Sequence, residues 1–267
     1  MIALLLACSG GTPSAERPSD PQIVTLGPAI TEVALELAPA QVVGIDTTSA
    51  ELPGARSLPK VGTPRSLSAE GVLSLGPTVV LGDATAGPPE VLDQIRAAGV
   101  EVVIVAHERS PEGVRAVVRG VAEAMEVEGD ALIERFDASC ATLPAPSGQR
   151  ALFVYARGAG TMSVSGTETA ADAMLGLAGL ENAVTAYEGY KPLTPEAAVE
   201  ADPDWVVFTT RGLEGVGGPD GVASIPGLAQ LDAVQDGRIA QVDDFLLLAF
   251  GLGTCEGART LAAGVAR

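Results

Sequence analysis

The chain of 267 residues contains one histidine, His107, and no Gly-Lys-Ser or Gly-Lys-Thr loop. Acyl or phosphoryl transfer needs a nucleophile with its base, or a phosphate cradle, so little is left from which to build such a site. Positive charge is equally scarce: 16 Lys and Arg against 34 Asp and Glu give a net charge of −18. That balance argues against nucleic acid and against adsorption to an anionic membrane. An anionic small ligand would need a local basic pocket, and Arg56, Lys60 and Arg65 form one such concentration. Beyond the N-terminus no apolar run is long enough to span a bilayer. Cysteines number three, and their spacing forms no metal motif.

What the chain has is a repeated piece of grammar. Residues 60–81 read as a loop with two basic residues, a helix capped by Ser68 with Glu70 in its first turn, a Gly76-Pro77 stop and a short buried strand. Residues 193–208 repeat it: Thr194 as cap, Pro195 at the first helical position, Glu196 in the first turn, Pro203 as stop, then Trp-Val-Val-Phe. Two copies imply two similar lobes, and two-lobed chains bind ligands between the lobes.

The first eight residues, Met-Ile-Ala-Leu-Leu-Leu-Ala-Cys8, resemble a bacterial lipoprotein processing site in which Cys8 is lipidated. The apolar run is short and lacks a charged start, so the biological start is expected upstream of Met1. Residues 9–21, rich in Ser, Gly and Pro, suit a flexible tether. Cys140 and Cys255 are open to two readings, a disulfide in an exported protein or two buried thiols.

Short apolar strands alternate with helices: strands at 23–26, 42–45, 78–81 and 101–105, helices at 29–37 and 88–98. This predicts α/β lobes with parallel sheets. Ser110-Pro-Glu opens a long helical segment to about residue 143, which Leu143-Pro-Ala-Pro-Ser-Gly closes. The second half is expected to hold a strand at 151–155, a glycine-rich turn at 158–160, a helix at 167–177, a glycine-rich loop at 212–221, a strand at 239–242 and a closing helix at 255–265. The expected organisation is a leader and tether (1–21), an N-terminal lobe (22–109), one long connecting helix (110–143) and a C-terminal lobe (144–267).

Several segments carry a resemblance to a known family. They are Val24-Thr-Leu-Gly-Pro-Ala-Ile-Thr-Glu32, Val43-Gly-Ile-Asp-Thr-Thr48, residues 60–75 and 86–99, Thr169-Ala-Ala-Asp-Ala-Met174, Gly189-Tyr-Lys-Pro-Leu193 and Leu246-Leu-Leu-Ala-Phe-Gly251. From residue 23 onward the chain resembles the substrate-binding proteins of bacterial ABC importers built on a rigid helical spine, and among them the group that delivers haem. The resemblance implies a monomeric, lipid-anchored, extracytoplasmic carrier with no catalytic activity. Its partners would be a permease and its ATPase subunits, and its cargo haem. Glu70 and Glu196 would then dock onto permease arginines, and Arg65, with Lys60 beside it, would meet the haem propionates. The haem group carries a tyrosine iron ligand where this chain has Thr63, and Gly-Pro-Arg where it has Gly251-Leu-Gly. Tyr190, His107 and Met162 are the remaining candidates for an axial ligand. A cobalamin or ferric-siderophore carrier is the alternative, and an α/β enzyme the reading from another class.

Overall fold

The computed structural model describes residues 20–157 and 162–266. Cys8, residues 9–19 of the tether and the turn at 158–160 lie outside them. The N-terminal half begins with β1 (Ile23–Leu26), α1 (Pro28–Leu37) and β2 (Val42–Ile45). A small hairpin follows, β3 (Gly62–Thr63) with β4 (Ser66–Leu67), then α2 (Ala69–Leu73), β5 (Val79–Gly82), α3 (Pro89–Ala97) and β6 (Glu101–Ile104). The strands order as β2-β1-β5-β6, all parallel, with Ile23 opposite Val79 and Leu26 opposite Gly82. Every residue of β1 and β5 is buried, which is why they read as unbroken apolar runs rather than alternating ones.

The connection is two helices, not one: α4 (Pro111–Ala124) and α5 (Asp130–Cys140). Ser110 caps α4 by accepting from Gly113 N at 3.0 Å, and Val114, Val117, Val118 and Val121 bury its inner stripe. The helix ends at Met125, and Glu126 takes a φ of 55°, a left-handed conformation that cannot continue a right-handed turn. Val118 and Ala122 press on Gly129, so the chain turns where glycine fits and restarts at Asp130.

The C-terminal half contains β7 (Arg150–Ala156), β8 (Met162–Ser165), α6 (Ala170–Leu177), β9 (Glu181–Asn182), β10 (Tyr190–Pro192), α7 (Pro195–Ala201) and β11 (Trp205–Thr209). It closes with α8 (Thr210–Gly215), α9 (Gly218–Val222), α10 (Asp232–Gln235), β12 (Ile239–Val242), α11 (Asp244–Leu248) and α12 (Thr254–Val265). Its sheet is mixed rather than parallel. Strands β9, β7, β11 and β12 run parallel, while β8 and β10 add antiparallel strands at one edge. The stretch expected as a glycine-rich loop folds as α8 and α9, because Thr209 caps the first and Gly217, at φ 93°, turns the chain into the second.

Cys140 and Cys255 form a disulfide, with Cα atoms 5.2 Å apart. It ties the end of α5 to the start of α12. Around it Val114, Phe136 and Cys255 make a small apolar cluster, so the bond sits where α4, α5 and α12 meet.

Candidate functional site

A cleft of about 920 Å³ opens between the two sheets. Its walls come from the carboxyl ends of parallel strands, where crevices form in open α/β sheets. Pro28 follows β1, Thr47 follows β2, Asp83 follows β5 and His107 lies just past β6; from the other side Tyr155 stands next to the last residue of β7 and Arg211 follows β11.

The N-terminal wall is built on bonded carboxylates. Asp46 is fully buried and accepts from Gly27 N at 2.8 Å and Thr48 N at 2.7 Å, fixing the turns after β1 and β2 together. Asp83 accepts from Thr85 N at 2.8 Å and Thr85 Oγ1 at 2.6 Å, and faces His107 Nδ1 at 3.4 Å. Burial works against its charge, but the hydrogen bonds from His107 and Thr85 outweigh it and hold the carboxyl at about 2.

Two contacts then cross from this wall to the segment between α11 and α12. His107 Nε2 bonds the Phe250 carbonyl oxygen at 3.0 Å, and Glu32 Oε2 accepts from Leu252 N at 2.7 Å. Glu32 is itself pushed up by burial, partly offset by the Leu252 bond. A β-carbon at Gly251 would overlap the Glu32 carboxylate, so the close approach needs glycine there. His107 lines the cleft, but both of its ring nitrogens face protein partners and its side chain is only 14% exposed.

Arg65 sits at the tip of the β3–β4 hairpin and lines the cleft. The hairpin can be this tight because Gly62, at φ 107°, leaves the space a β-carbon would take 2.7 Å from the Ser66 carbonyl oxygen. Thr63 pairs with Ser66 and is exposed, but is not among the cleft-lining residues. Lys60 also stays outside the lining and donates to the Arg56 carbonyl. Met162 packs against the apolar cluster that includes Val154 and Val164, away from the cleft wall.

Tyrosines furnish the remaining chemistry. Tyr155 lines the cleft, and the Arg157 guanidinium lies over its ring at 5.2 Å while Nε donates to its hydroxyl at 3.0 Å. Tyr190, on β10, is 43% exposed and meets the Tyr155 ring at 5.9 Å between centroids. Burial of its hydroxyl pushes the Tyr190 phenol up, against the pull of Thr169 and the Arg109 charge. Of the two, Tyr155 is the one whose oxygen has a cation directly on it.

Glu70 and Glu196 lie outside the cleft, both exposed in the first turns of α2 and α7. Ser68 and Thr194 cap these helices by accepting from Gly71 N at 3.3 Å and Ala197 N at 3.2 Å. Each helix belongs to a different sheet's layer, so the two glutamates mark corresponding points on the two lobes.

Two α/β lobes, a helical connection and a ligand-sized cleft define a binding protein. The Periplasmic binding protein family matches residues 23–245, and the chain belongs to it. It is a family of substrate-binding transport proteins, and this chain is accordingly an extracytoplasmic substrate-binding protein of an ABC transporter. Among solved structures it is similar to the periplasmic heme-binding protein BhuT in complex with two hemes. The two are 38% identical with a TM-score of 0.84, over 91% of this chain and 97% of that one. The apo form of RhuT from Roseiflexus sp. RS-1 is also 38% identical, with a TM-score of 0.83 over 92% and 98% of the two chains. HutB of Vibrio cholerae is 33% identical, with a TM-score of 0.78 over 90% and 97%. A curated relative is the uncharacterized ABC transporter substrate-binding lipoprotein YvrC of Bacillus subtilis (strain 168). It is 25% identical over 255 residues, 91% of this chain and 79% of YvrC.

Proposed function

We propose that this protein captures haem in the cleft between its lobes and hands it to an ABC permease driven by its ATPase subunits. It works as a monomer, held at the outer face of the membrane by a lipid on Cys8. Glu70 and Glu196 make the docking contacts, one from each lobe. The three structurally similar proteins are named for haem binding, which supports the cargo. The observation that carries the reading in this chain is Tyr155. This residue lines the cleft, and its hydroxyl receives a hydrogen bond from Arg157 at 3.0 Å. A phenolate is a known ligand of ferric haem, and a guanidinium on the oxygen balances its charge while leaving a lone pair for the metal. Tyr155 therefore takes the role that Thr63, too short and too weakly acidic, cannot fill. Arg65 meets a propionate from the hairpin on the facing lobe.

Titration of the purified protein with haemin, cobalamin and a ferric siderophore tests the cargo. Haemin is expected to give a shifted Soret band and a phenolate-to-iron charge-transfer band, and Tyr155→Phe to abolish the latter. Binding of cobalamin or the siderophore without haemin overturns the reading in favour of those carriers.

A further inference from the structure

The cationic groups of this acidic chain divide into two kinds. Away from the cleft most arginines are engaged: Arg96 with Asp93, Arg115 with Glu112 and Asp137, Arg135 with Glu36, and Arg238 with Asp236. Within the cleft the reverse holds. Arg109 donates to the Glu168 carbonyl at 3.3 Å, but the guanidiniums of Arg65 and Arg211 have no hydrogen-bond or ion-pair partner among the described residues. The cleft carboxylates, by contrast, are all occupied. Glu51 pairs with Arg56 at 3.2 Å, Asp83 is held by Thr85 and His107, and Asp244 Oδ2 accepts from the backbone N of Arg211 at 3.2 Å.

Arg65 and Arg211 stand on opposite walls, one on the N-terminal hairpin and the other directly after β11. The position of Arg211 is held at both ends: its backbone is tied to Asp244, and its guanidinium lies 5.9 Å from the Phe245 ring. A guanidinium resting on an aromatic face keeps its donor edge free for a carboxylate. The same lining carries Glu51, Asp83 and Asp244, so the two guanidiniums act on a ligand's acid groups by direct contact rather than through a net charge of the cavity.

We propose that Arg211 is a specificity-determining anchor that opposes Arg65, so that the cleft selects a load presenting acid groups to both walls. Closure of the lobes then brings a cation from each side onto the ligand's carboxylates. The inference rests on the haem reading, where the acid groups are propionates, but it concerns a residue and a wall that the docking of a single propionate on Arg65 leaves unused.

The experiment compares haemin with haemin dimethyl ester, in the same detergent buffer, on wild type, Arg65→Ala, Arg211→Ala, Arg211→Lys and Arg65→Ala/Arg211→Ala. Arg211→Ala is expected to weaken haemin binding by about tenfold, the effect of one charge-assisted contact. The ester should bind wild type and variant alike, Arg211→Lys should recover part of the loss, and the double variant should lose more than either single one. Equal loss for acid and ester would assign Arg211 a packing role on Phe245 and overturn the proposal, as would an unchanged haemin affinity. Wild type that takes up neither compound overturns the haem reading itself, and this inference with it.

Discussion

His107 Nε2 and the Phe250 carbonyl oxygen, 3.0 Å apart and separated by 143 positions, join the N-terminal wall of the cleft to the segment that enters the closing helix. The bond matters because the other ring nitrogen faces Asp83, so the same histidine couples a cleft carboxylate to the opposite lobe. Glu32 grips Leu252 N two residues on, and the two contacts together clamp the backbone around Gly251.

Acid should loosen this clamp through Asp83. Its carboxyl sits at about 2 in the folded protein against an ordinary value of 3.8, so the folded state binds the proton less tightly than the unfolded chain. The stabilisation is present above pH 4 and is lost as pH falls toward 2. At about 1.4 kcal/mol per pH unit it amounts to roughly 2 kcal/mol. Urea unfolding of wild type between pH 5 and pH 2 should show this decline, and Asp83→Asn should flatten it while lowering stability at pH 7. An unchanged acid slope in that variant would remove Asp83 from the clamp.

The disulfide should carry a large share of the stability of the α5–α12 junction. It closes a loop of 115 positions, and loss of such a bond typically costs 2–5 kcal/mol, about the upper end for long loops. Cys140→Ser/Cys255→Ser should therefore unfold at markedly lower urea. Ligand affinity should change little, since neither cysteine borders the cleft. A variant as stable as wild type would show that packing of Val114 and Phe136 suffices at that junction.

If Glu70 and Glu196 dock on the permease as proposed, charge reversal there should separate transport from binding. Glu70→Arg and Glu196→Arg leave the cleft untouched, because both side chains are exposed outside it. Haemin titrations should match wild type, while stimulation of the reconstituted transporter's ATPase should be lost. A fall in haemin affinity would place these glutamates in ligand binding instead.

The hairpin offers a gain-of-function test. Tyr155→Phe should remove the phenolate band, and adding Thr63→Tyr to that variant places a new phenol beside Arg65 on the opposite wall. Return of a charge-transfer band would show that a ligand at either wall reaches the iron. Its continued absence would show that the β3–β4 pairing holds position 63 out of the cleft.

Much of the fold was legible because it depends on local rules. Ser68 and Thr194 cap their helices, Pro195 begins one, and the buried runs at β1, β5 and β11 are parallel strands. The misses share a cause. The two- and three-residue strands β3, β4 and β10 carry no usable period, and β8 (Met-Ser-Val-Ser) lacks an apolar run, so the hairpin under Arg65 and the antiparallel edge leave no signal in the sequence. The stretch 212–221 reads as a loop because of its glycines, yet the Thr209 cap and the packing of α8 against β7 and β11 make it helical. At the spine, helical spacing continued through a point where Glu126 could not stay helical.

By itself the sequence determined the class: an acidic, two-lobed α/β chain with a capped glutamate in each half and a cleft between them. Those features follow from hydrophobic runs, caps and charge, which act over a few residues. Only the tertiary structure decided that Cys140 meets Cys255, that His107 Nε2 meets the Phe250 carbonyl, and that Tyr155 rather than Tyr190 carries the cation on its oxygen. Each of these is a contact between segments distant in the chain or a choice of face on a strand. Spacing along the chain does not encode such relations; packing imposes them.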